Sequence, residues 1–366
     1  MNVGIDASRI ALTERTGTEN YTFNLIEAIK RVDKVNKYTL YFNKLPQYFE
    51  ISQQNVSSRY MPLPRFWTQI RLLSEVLINP PDLLFIPAHT LPLVRRASLK
   101  TVVTIHDLGS EFLPEHHQFP QKLYLNWSTK FAAKYADALI AVSEATKRDL
   151  VKKLKVDPKK ISVIYEGIDK DFFYPRGEEE QTKVRSHFGL TKPFLLFVGT
   201  VQPRKNLKFL IEAFADSKLD KYDLVIAGKP GWLYEEIYQA PKHFGIEDRV
   251  KFLGYADLQL LPGLYSAASA FVYPSLYEGF GLPLLEALAC GVPIVAADNS
   301  SIPEVVGDAG SLFKPNDKKD FVNKLKQVLK KNSVTNEKRE AQLNKFDWDK
   351  TARETIELFE KVCSSK

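Results

Sequence analysis

The fold of this chain is decided by one stretch, FVYPSLYEGFGLPLLEALACGVPIVAADNSSIPE (residues 271–304), which contains a complete strand–loop–helix–strand pattern. The apolar and aromatic residues 271–273 predict the end of a buried strand, and the following Pro-Ser pair predicts that the strand stops there. Gly279 and Gly281 lack a Cβ, so the backbone can turn tightly and approach a ligand closely. Pro283 suits the first turn of a helix, where its missing N–H has no intrahelical partner to lose. We therefore predict a parallel α/β unit whose loop faces a ligand.

Two carboxylates lie inside this stretch, Glu278 and Glu286, with seven residues between them. Glu278 falls in the predicted loop, and Glu286 falls one turn inside the predicted helix. Open α/β sheets bind ligands at the carboxyl ends of their strands, and a helix N-terminus offers N–H donors to phosphate or sugar oxygens. The pair is therefore a candidate ligand site, although two glutamates at this spacing also occur by chance.

The pattern E-G-F-G-L-P-x-x-E-A-x-A-x-G-x-P-x-V, followed by Pro303-Glu304, resembles the donor-binding signature of retaining family-4 glycosyltransferases of the GT-B fold. The resemblance implies an α/β chain of two doubly wound Rossmann-like domains that face a central cleft. It also implies that Glu286 binds the ribose hydroxyls of a nucleotide-sugar donor and that Glu278 binds the transferred sugar near the reacting carbon. The same resemblance adds the backbone N–H groups of Gly279, Phe280, Gly281 and Leu282 to that sugar contact.

A second candidate site opens the second half of the chain. Residues 194–198 predict a strand, Gly199 follows it, and Arg204-Lys205 precedes the next predicted helix. Adjacent basic residues are usually solvated, but here they would lie at the ligand edge of a βα unit. Two cations there could stabilise a diphosphate leaving group as the glycosidic bond breaks. The resemblance implies the same role, with Gly199 in the donor loop and Arg204 and Lys205 on the donor pyrophosphate.

The first half carries a third candidate, His106. Residues 101–105, TVVTI, predict a buried strand that delivers His106 and Asp107 at its carboxyl end. The alternative is a histidine that is hydrogen-bonded for structural reasons. Family members carry a histidine here that contacts the transferred sugar, and Asp107 could orient the ring or accept a proton. Gly17, in the first strand-to-helix turn, corresponds to the loop that faces the donor pyrophosphate in the family.

The β–α alternation predicts two domains. We expect an N-terminal domain over residues 1–172, on the acceptor side, and a C-terminal nucleotide-sugar domain over residues 173–348. Residues 175–192 are polar and interrupt the pattern, so they predict the linker. A terminal helix over 349–366 is expected to join the N-terminal domain, as in the family.

Composition narrows the function classes. A chain of 366 residues with a net charge of +7 and 44% hydrophobic residues is typical of a globular protein of two domains. Residues 1–175 hold 24 basic and 18 acidic residues, and the remainder holds 27 and 26, so the first half carries the excess charge. No nucleic-acid motif accompanies that charge. On residues 121–135, an aromatic stripe flanked by lysines allows two interpretations, packing on the sheet or peripheral contact with an anionic membrane.

The N-terminus lacks the pattern of a signal peptide, and Cys290 and Cys363 fit neither a disulfide framework nor a metal site. These features predict a cytoplasmic protein, with the inner face of the plasma membrane as a peripheral location. The sequence Asp347-Trp348-Asp349 spells the D-x-D of metal-dependent glycosyltransferases. It opens a predicted helix, where Asp is an ordinary cap, so we expect no metal.

Together these observations predict a retaining hexosyltransferase. Overall similarity to bacterial mannosyltransferases favours mannose from GDP-mannose over UDP-sugars, with no cofactor beyond that donor substrate. The expected acceptor is a hydroxyl of a glycan or of a lipid-linked glycan. Two alternatives stay open: a GT-B sugar-nucleotide 2-epimerase, and a non-catalytic GT-B protein that binds glycans.

Overall fold

A computed structural model describes residues 1–11, 17–46, 49–51, 53–109, 121–330 and 335–364. The described residues form two compact units. The first comprises residues 1–108, 121–167 and 346–364, and the second is built from residues 168–345. The sequence predicts a division after residue 172 and a return to the first domain at 349. The observed division follows Gly167, and the return begins at Phe346.

The first unit contains a parallel sheet of seven strands within the described residues, in the order β3-β2-β1-β4-β5-β6-β7. Its central strands are buried on both faces, which explains their continuous apolar sequences. The register pairs Val3 with Leu83 across β1 and β4, and Val102 with Ala138 across β5 and β6. The strands are β1 (Asn2–Asp6), β2 (Lys37–Phe42), β3 (Val56–Tyr60), β4 (Leu83–Ile86), β5 (Lys100–Ile105), β6 (Ala138–Ala141) and β7 (Ile161–Val163).

The second unit contains a parallel sheet of six strands in its described residues, in the order β10-β9-β8-β11-β12-β13. Phe271 pairs with both Leu196 and Ile294, so β11 lies between β8 and β12. The loops after β8 and β11 therefore begin side by side at one edge of the sheet. The strands are β8 (Phe194–Val198), β9 (Asp223–Ala227), β10 (Val250–Gly254), β11 (Ala270–Tyr273), β12 (Ile294–Ala297) and β13 (Ser311–Phe313).

Helices connect most successive strands, which is the pattern of a doubly wound fold. In the first unit they are Gly17–Val32, Leu73–Ile78, Gln121–Tyr135, Glu144–Leu154 and Trp348–Ser364. In the second unit they are Glu178–His187, Leu207–Asp216, Glu235–His243, Leu261–Ala267, Leu282–Ala289, Ile302–Val306, Lys318–Lys330 and Asn336–Leu343. The prediction of two doubly wound, Rossmann-like α/β domains is confirmed.

The predicted linker, residues 175–192, contains a helix instead, Glu178–His187. Three glutamates in its first turn interact favourably with the helix dipole. Val184 is buried and packs so closely on Gly263 that a Cβ there would lie 2.7 Å from its Cγ2 atom. The segment is otherwise polar, so its sequence resembles a linker although one face is packed.

The terminal helix Trp348–Ser364 packs on the first unit. Phe359 lies against Phe85 of β4 with ring centroids 5.1 Å apart, and Asp349 pairs with Arg31 at 2.6 Å. At its start, a Cβ on Gly167 would lie 2.4 Å from the backbone nitrogen of Trp348. This close approach requires glycine at position 167, and it fixes where the chain re-enters the first unit.

Candidate donor site

The loop after β11 and the helix Leu282–Ala289 form the framework of the site. Gly281 caps the helix with φ 117° and ψ 54°, a conformation that favours glycine. The Leu284 N–H donates to the Gly281 carbonyl at 2.9 Å and closes the first turn. The predicted strand–loop–helix is thus present, and the N–H donors of that first turn point back toward the loop.

Glu278 lies in this loop between two cations. Lys205 Nζ donates to its Oε1 at 2.6 Å, and Arg204 Nη1 donates to its Oε2 at 3.0 Å. Arg204 also donates to the Tyr277 carbonyl at 2.6 Å, and Lys205 donates to the Tyr273 hydroxyl at 3.0 Å. The structure therefore joins three predicted site residues in one cluster, in which Glu278 and Lys205 are buried and Arg204 is partly buried. The cations come from the loop after β8 and the carboxylate from the loop after β11.

Burial and charge act in opposite directions on Glu278, which is 6% exposed. Burial alone would raise the pKa of its carboxyl group, because the charged form loses solvation. Lys205 and Arg204 more than offset this effect and lower the pKa to about 2. Glu278 is therefore ionised throughout the physiological range, and it holds both cations in fixed positions.

Two serines that the sequence analysis did not select hold the Glu278 loop. The Glu278 N–H donates to Ser300 Oγ at 3.0 Å, while Ser301 Oγ donates to the carbonyls of Glu278 and Phe280 at 3.0 and 2.7 Å. Ser300 has φ 48°, a left-handed conformation that is uncommon for a non-glycine residue. These serines lie just before Ile302 and the Pro303-Glu304 pair of the signature, and that position is their only signal in the sequence.

Glu286 has a different environment. It is 9% exposed, and its Oε2 accepts a hydrogen bond from the Tyr265 hydroxyl at 2.7 Å. Burial raises the pKa of Glu286 to about 7, although the Tyr265 hydrogen bond acts to lower it. In the described part of the chain no cation pairs with this carboxylate. The pKa of Glu286 thus lies several pH units above that of Glu278. Glu286 therefore changes charge near neutral pH.

The loop after β8 orients the two cations. Gly199 has φ 149°, and its N–H donates to the Ala227 carbonyl at 2.9 Å. A Cβ on Gly228 would lie 1.9 Å from the Gly199 carbonyl oxygen, so the two loops approach as closely as glycine permits. Arg204 and Lys205 end the short 3-10 turn Pro203–Lys205, immediately before the helix Leu207–Asp216.

The remaining predicted residues, His106 and Gly17, belong to the first unit. His106 follows β5, and its Nε2 lies 2.8 Å from the Pro87 carbonyl oxygen, to which it donates. Its Nδ1 lies 3.4 Å from Glu166 Oε1, a carboxylate that the sequence analysis did not select. Gly17 begins the helix Gly17–Val32 and is exposed, and residues 12–16 before it lie outside the described residues.

The Asp347-Trp348-Asp349 sequence lies at the start of the terminal helix. The Lys350 N–H donates to Asp347 Oδ1 at 2.8 Å, which is a capping contact, and Asp349 pairs with Arg31. The two carboxylates therefore have separate structural partners. Among the described residues, no group of three or more His, Cys, Asp or Glu side chains is arranged to hold a metal ion.

Two family descriptions match this chain almost end to end. "Glycosyltransferase Family 4" matches residues 15–172, and "Glycosyl transferases group 1" matches residues 178–346. O-antigen chain mannosyltransferase B of Escherichia coli is 32% identical over 267 residues, which cover 71% of this chain and 70% of that protein. The chain belongs to glycosyltransferase family 4. This glycosyltransferase is also similar to the O-antigen chain mannosyltransferase RfbU of Salmonella typhimurium, with 28% identity over 86% of this chain and 87% of that protein.

Solved structures confirm the GT-B fold. The glycosyltransferase matches Anabaena HepE, solved in complex with UDP and glucose, with a TM-score of 0.76 and 20% identity over 98% of this chain and 99% of that chain. It matches sucrose-phosphate synthase from Thermosynechococcus elongatus with a TM-score of 0.76 and 19% identity over the full length of both chains. Within the described residues, no helix is both long and apolar enough to cross a membrane.

Proposed function

We propose that this glycosyltransferase transfers a hexose, mannose from GDP-mannose, to a hydroxyl of a glycan or lipid-linked acceptor, with retention of the anomeric configuration. The observation that carries the proposal is the ion-pair cluster of Arg204, Lys205 and Glu278 at the edge of the second sheet. The mannosyltransferase relatives supply the choice of sugar. No further cofactor is required by this chemistry.

The cluster suits the departure of a nucleoside diphosphate. Negative charge develops on the diphosphate as the glycosidic bond breaks, and cations that are already in place lower the barrier without reorganising. Glu278 fixes both cations through contacts of 2.6 and 3.0 Å. In this proposal the Glu278 carboxylate also accepts hydroxyls of the transferred sugar, while backbone N–H groups of the 279–282 segment donate to it, and Gly199 lets the donor approach the loop.

Glu286 suits the ribose of the nucleotide. A carboxylate accepts hydrogen bonds from two neighbouring hydroxyls at once, and the Tyr265 hydroxyl holds Glu286 Oε2 in one orientation. In the first unit, we assign to His106 a contact with the transferred sugar and to Gly17 an approach of the backbone to the diphosphate.

Retention follows, in this proposal, from reaction on a single face of the sugar. The acceptor hydroxyl attacks the anomeric carbon from the side that the diphosphate leaves, and the departing phosphate oxygen takes the hydroxyl proton. Proton NMR of the product tests the retention of configuration. An α-linked product from an α-linked donor is expected, and a β-linked first product would exclude retention.

We also propose a peripheral contact with anionic membrane at the cytoplasmic face. On the helix Gln121–Tyr135, Trp127 stacks on Phe131 at 5.5 Å, yet Trp127 remains 47% exposed and Tyr135 remains 43% exposed. Lys130 and Lys134 are exposed beside them. The wild-type protein should sediment with phosphatidylglycerol vesicles, and the Trp127→Ala variant should not. If Trp127→Ala sediments with the vesicles as the wild type does, this contact is refuted.

The donor is identified by calorimetric titration with GDP, UDP and ADP. We expect GDP to bind with a Kd well below millimolar, and Glu286→Ala to lose that affinity. Glu212→Ala is the matched control, because Glu212 lies on a helix of the same unit and pairs with Lys318 at the surface. Preference for UDP or ADP would exclude GDP-mannose as the donor. Product analysis then distinguishes the transferase from the two alternative functions. A sugar-nucleotide epimerase changes the donor without an acceptor, and a non-catalytic binding protein shows no turnover.

A further inference from the structure

An exposed apolar patch lies on the first unit, on the two segments that follow β3 and β4. Single apolar side chains at a surface are common, whereas several of them together mark an interaction site. We call this surface the Phe66 patch, and its members are Phe66 (73% exposed), Ile70 (53%), Leu93 (42%) and Val94 (58%).

The Gln69 side chain holds the two segments of the patch side by side. Its Nε2 donates to the Leu91 carbonyl at 3.1 Å, and its Oε1 accepts from the Leu93 N–H at 2.9 Å. Trp67 anchors the first segment, because its ring is buried and its Nε1 donates to the Met61 carbonyl at 2.7 Å. The patch is therefore fixed by the surrounding structure and does not consist of scattered side chains.

The backbone of Phe66 shows that folding alone does not explain this residue. Phe66 has φ 56°, a left-handed conformation that glycine adopts more easily than phenylalanine does. Its carbonyl accepts hydrogen bonds from the N–H groups of Gln69 and Ile70, at 3.0 and 2.9 Å, beside the π-helical turn Thr68–Leu72. Such turns are frequent at functional sites. The chain thus keeps a large aromatic ring where its backbone is unfavourable and its burial is small.

The charge around the patch has one sign. Residues 59–72 and 91–96 contain five arginines and no acidic residue. Arg65 and Arg96 are exposed, and Arg71 is partly exposed. Within the described residues, no carboxylate forms an ion pair with any of these three guanidinium groups. The apolar side chains therefore lie among cations that are available to an anionic partner.

Arg95 connects the patch to the helix Gln121–Tyr135. Its Nη2 donates to the Tyr135 carbonyl at the end of that helix. Trp127, on the same helix, is the residue through which a membrane contact is proposed above. The Phe66 patch thus neighbours that helix but belongs to other segments of the chain.

We propose that the Phe66 patch inserts into an anionic lipid bilayer, with the arginines beside it on lipid phosphates. A bilayer supplies in one surface the apolar phase that the patch lacks and the phosphates that guanidinium groups bind bidentately. A second copy of the chain fits less well, because each copy carries a net charge of +7 and would present the same arginines. The inference extends the peripheral membrane contact of the proposed function to a second surface, and it rests on that proposal.

The first test removes the Phe66 ring with Phe66→Gly. Glycine suits φ 56°, so the variant should be at least as stable as the wild type in urea. Its affinity for phosphatidylglycerol vesicles should nevertheless fall by about tenfold or more, because the ring no longer enters the apolar phase. Val35→Gly is the control: Val35 is 88% exposed and precedes β2, at the opposite edge of the sheet, and its loss should leave the affinity within about twofold. Wild-type vesicle affinity in folded Phe66→Gly would overturn the proposal.

The arginines are tested by charge. The double variant Arg65→Gln/Arg96→Gln should bind phosphatidylglycerol vesicles about tenfold or more weakly. Lys34→Gln/Lys37→Gln removes the same charge from exposed positions near Val35, and it should have the smaller effect. Equal losses in the two double variants would show that only net charge matters, which contradicts a specific role of the patch.

The last test measures insertion directly. An environment-sensitive fluorophore is attached to Leu93→Cys in a Cys363→Ser background, since the other cysteine, Cys290, is buried. Phosphatidylglycerol vesicles should shift its emission to the blue, and spin-labelled lipid should quench it, whereas the same label on Val35→Cys should not respond.

The outcomes separate this inference from the earlier proposal. A label at position 93 that stays in water while the protein sediments with vesicles overturns the inference and leaves the Trp127 contact intact. An inserted label at position 93, with Trp127→Ala sedimenting like the wild type, refutes the Trp127 contact alone. A dimer in sedimentation equilibrium that Phe66→Gly dissociates, without vesicle binding, would assign the patch to a second copy and overturn the bilayer.

Discussion

The titration of Glu286 leads to a specific prediction for donor binding. Burial disfavours its charged form and raises its pKa to about 7, although the hydrogen bond from the Tyr265 hydroxyl acts to lower it. In the proposed role, the ionised carboxylate accepts both ribose hydroxyls, whereas the protonated acid cannot accept both. Donor affinity should therefore increase as pH rises through 7.

The size of the expected change in Kd follows from the pKa of Glu286. If only the ionised form binds, the apparent Kd is multiplied by one plus the ratio of protonated to ionised Glu286. With a pKa of about 7, this factor is about 11 at pH 6, about 2 at pH 7 and about 1.1 at pH 8. The expected change between pH 6 and pH 8 is therefore about tenfold, equivalent to about 1.4 kcal/mol.

Calorimetry with GDP-mannose measures this dependence. The sugar nucleotide is preferable to GDP, because a terminal phosphate has a second pKa near 6 that would add its own pH dependence. Glu286→Gln removes the titrating group and should bind weakly with no slope between pH 6 and 8. A wild-type affinity that stays level over this range, or a slope that persists in Glu286→Gln, contradicts the reasoning.

Three further predictions concern the same unit. Lys205→Met should lower the free energy of unfolding by about 3 kcal/mol in urea at pH 7, because a buried carboxylate loses its nearest cation. Because the pKa of the Glu278 carboxyl group is lowered, the difference in unfolding free energy between wild type and variant should disappear as pH falls from about 4.5 toward 2. Equal stability of the two proteins at pH 7 would contradict this prediction. Tyr265→Phe removes a hydrogen bond that lowers the pKa of Glu286, so the pH dependence of donor affinity should move to higher pH; a move to lower pH would refute that assignment. Gly228→Ala places a Cβ 1.9 Å from a backbone carbonyl oxygen and should cost more than about 3 kcal/mol, whereas Gly177→Ala meets nothing within 4 Å and should cost less than about 1 kcal/mol in the same unfolding assay.

The sequence predicted the features that depend on local chemistry. The glycines and Pro283 of the 271–304 stretch indicate a strand–loop–helix directly. Glycine widens the range of backbone conformations at its own position, and proline restricts it. For the helix Glu178–His187 the sequence instead predicts a linker, because Val184 is its one buried residue and the apolar periodicity of a helix is therefore missing.

The contacts that orient the site were not predictable in the same way. Ser300 holds the Glu278 backbone across 22 positions, and Tyr265 holds Glu286 across 21. Glu166 meets His106 across a neighbouring strand. Such partners are brought together by strand order, which a single sequence does not specify. The charged groups are therefore predictable from the sequence, but the residues that orient them are not.

The return of the terminal helix to the first unit has a consequence for biosynthesis. A ribosome releases the chain from the N-terminus, so residues 168–345 emerge complete while the first unit still lacks the helix Trp348–Ser364. Until that helix is synthesised, Phe85 lacks its ring contact with Phe359, and Arg31 lacks its ion pair with Asp349. The nascent N-terminal unit must therefore persist unfinished throughout synthesis of the other unit, which reverses the usual N-to-C order in which domains complete their folding.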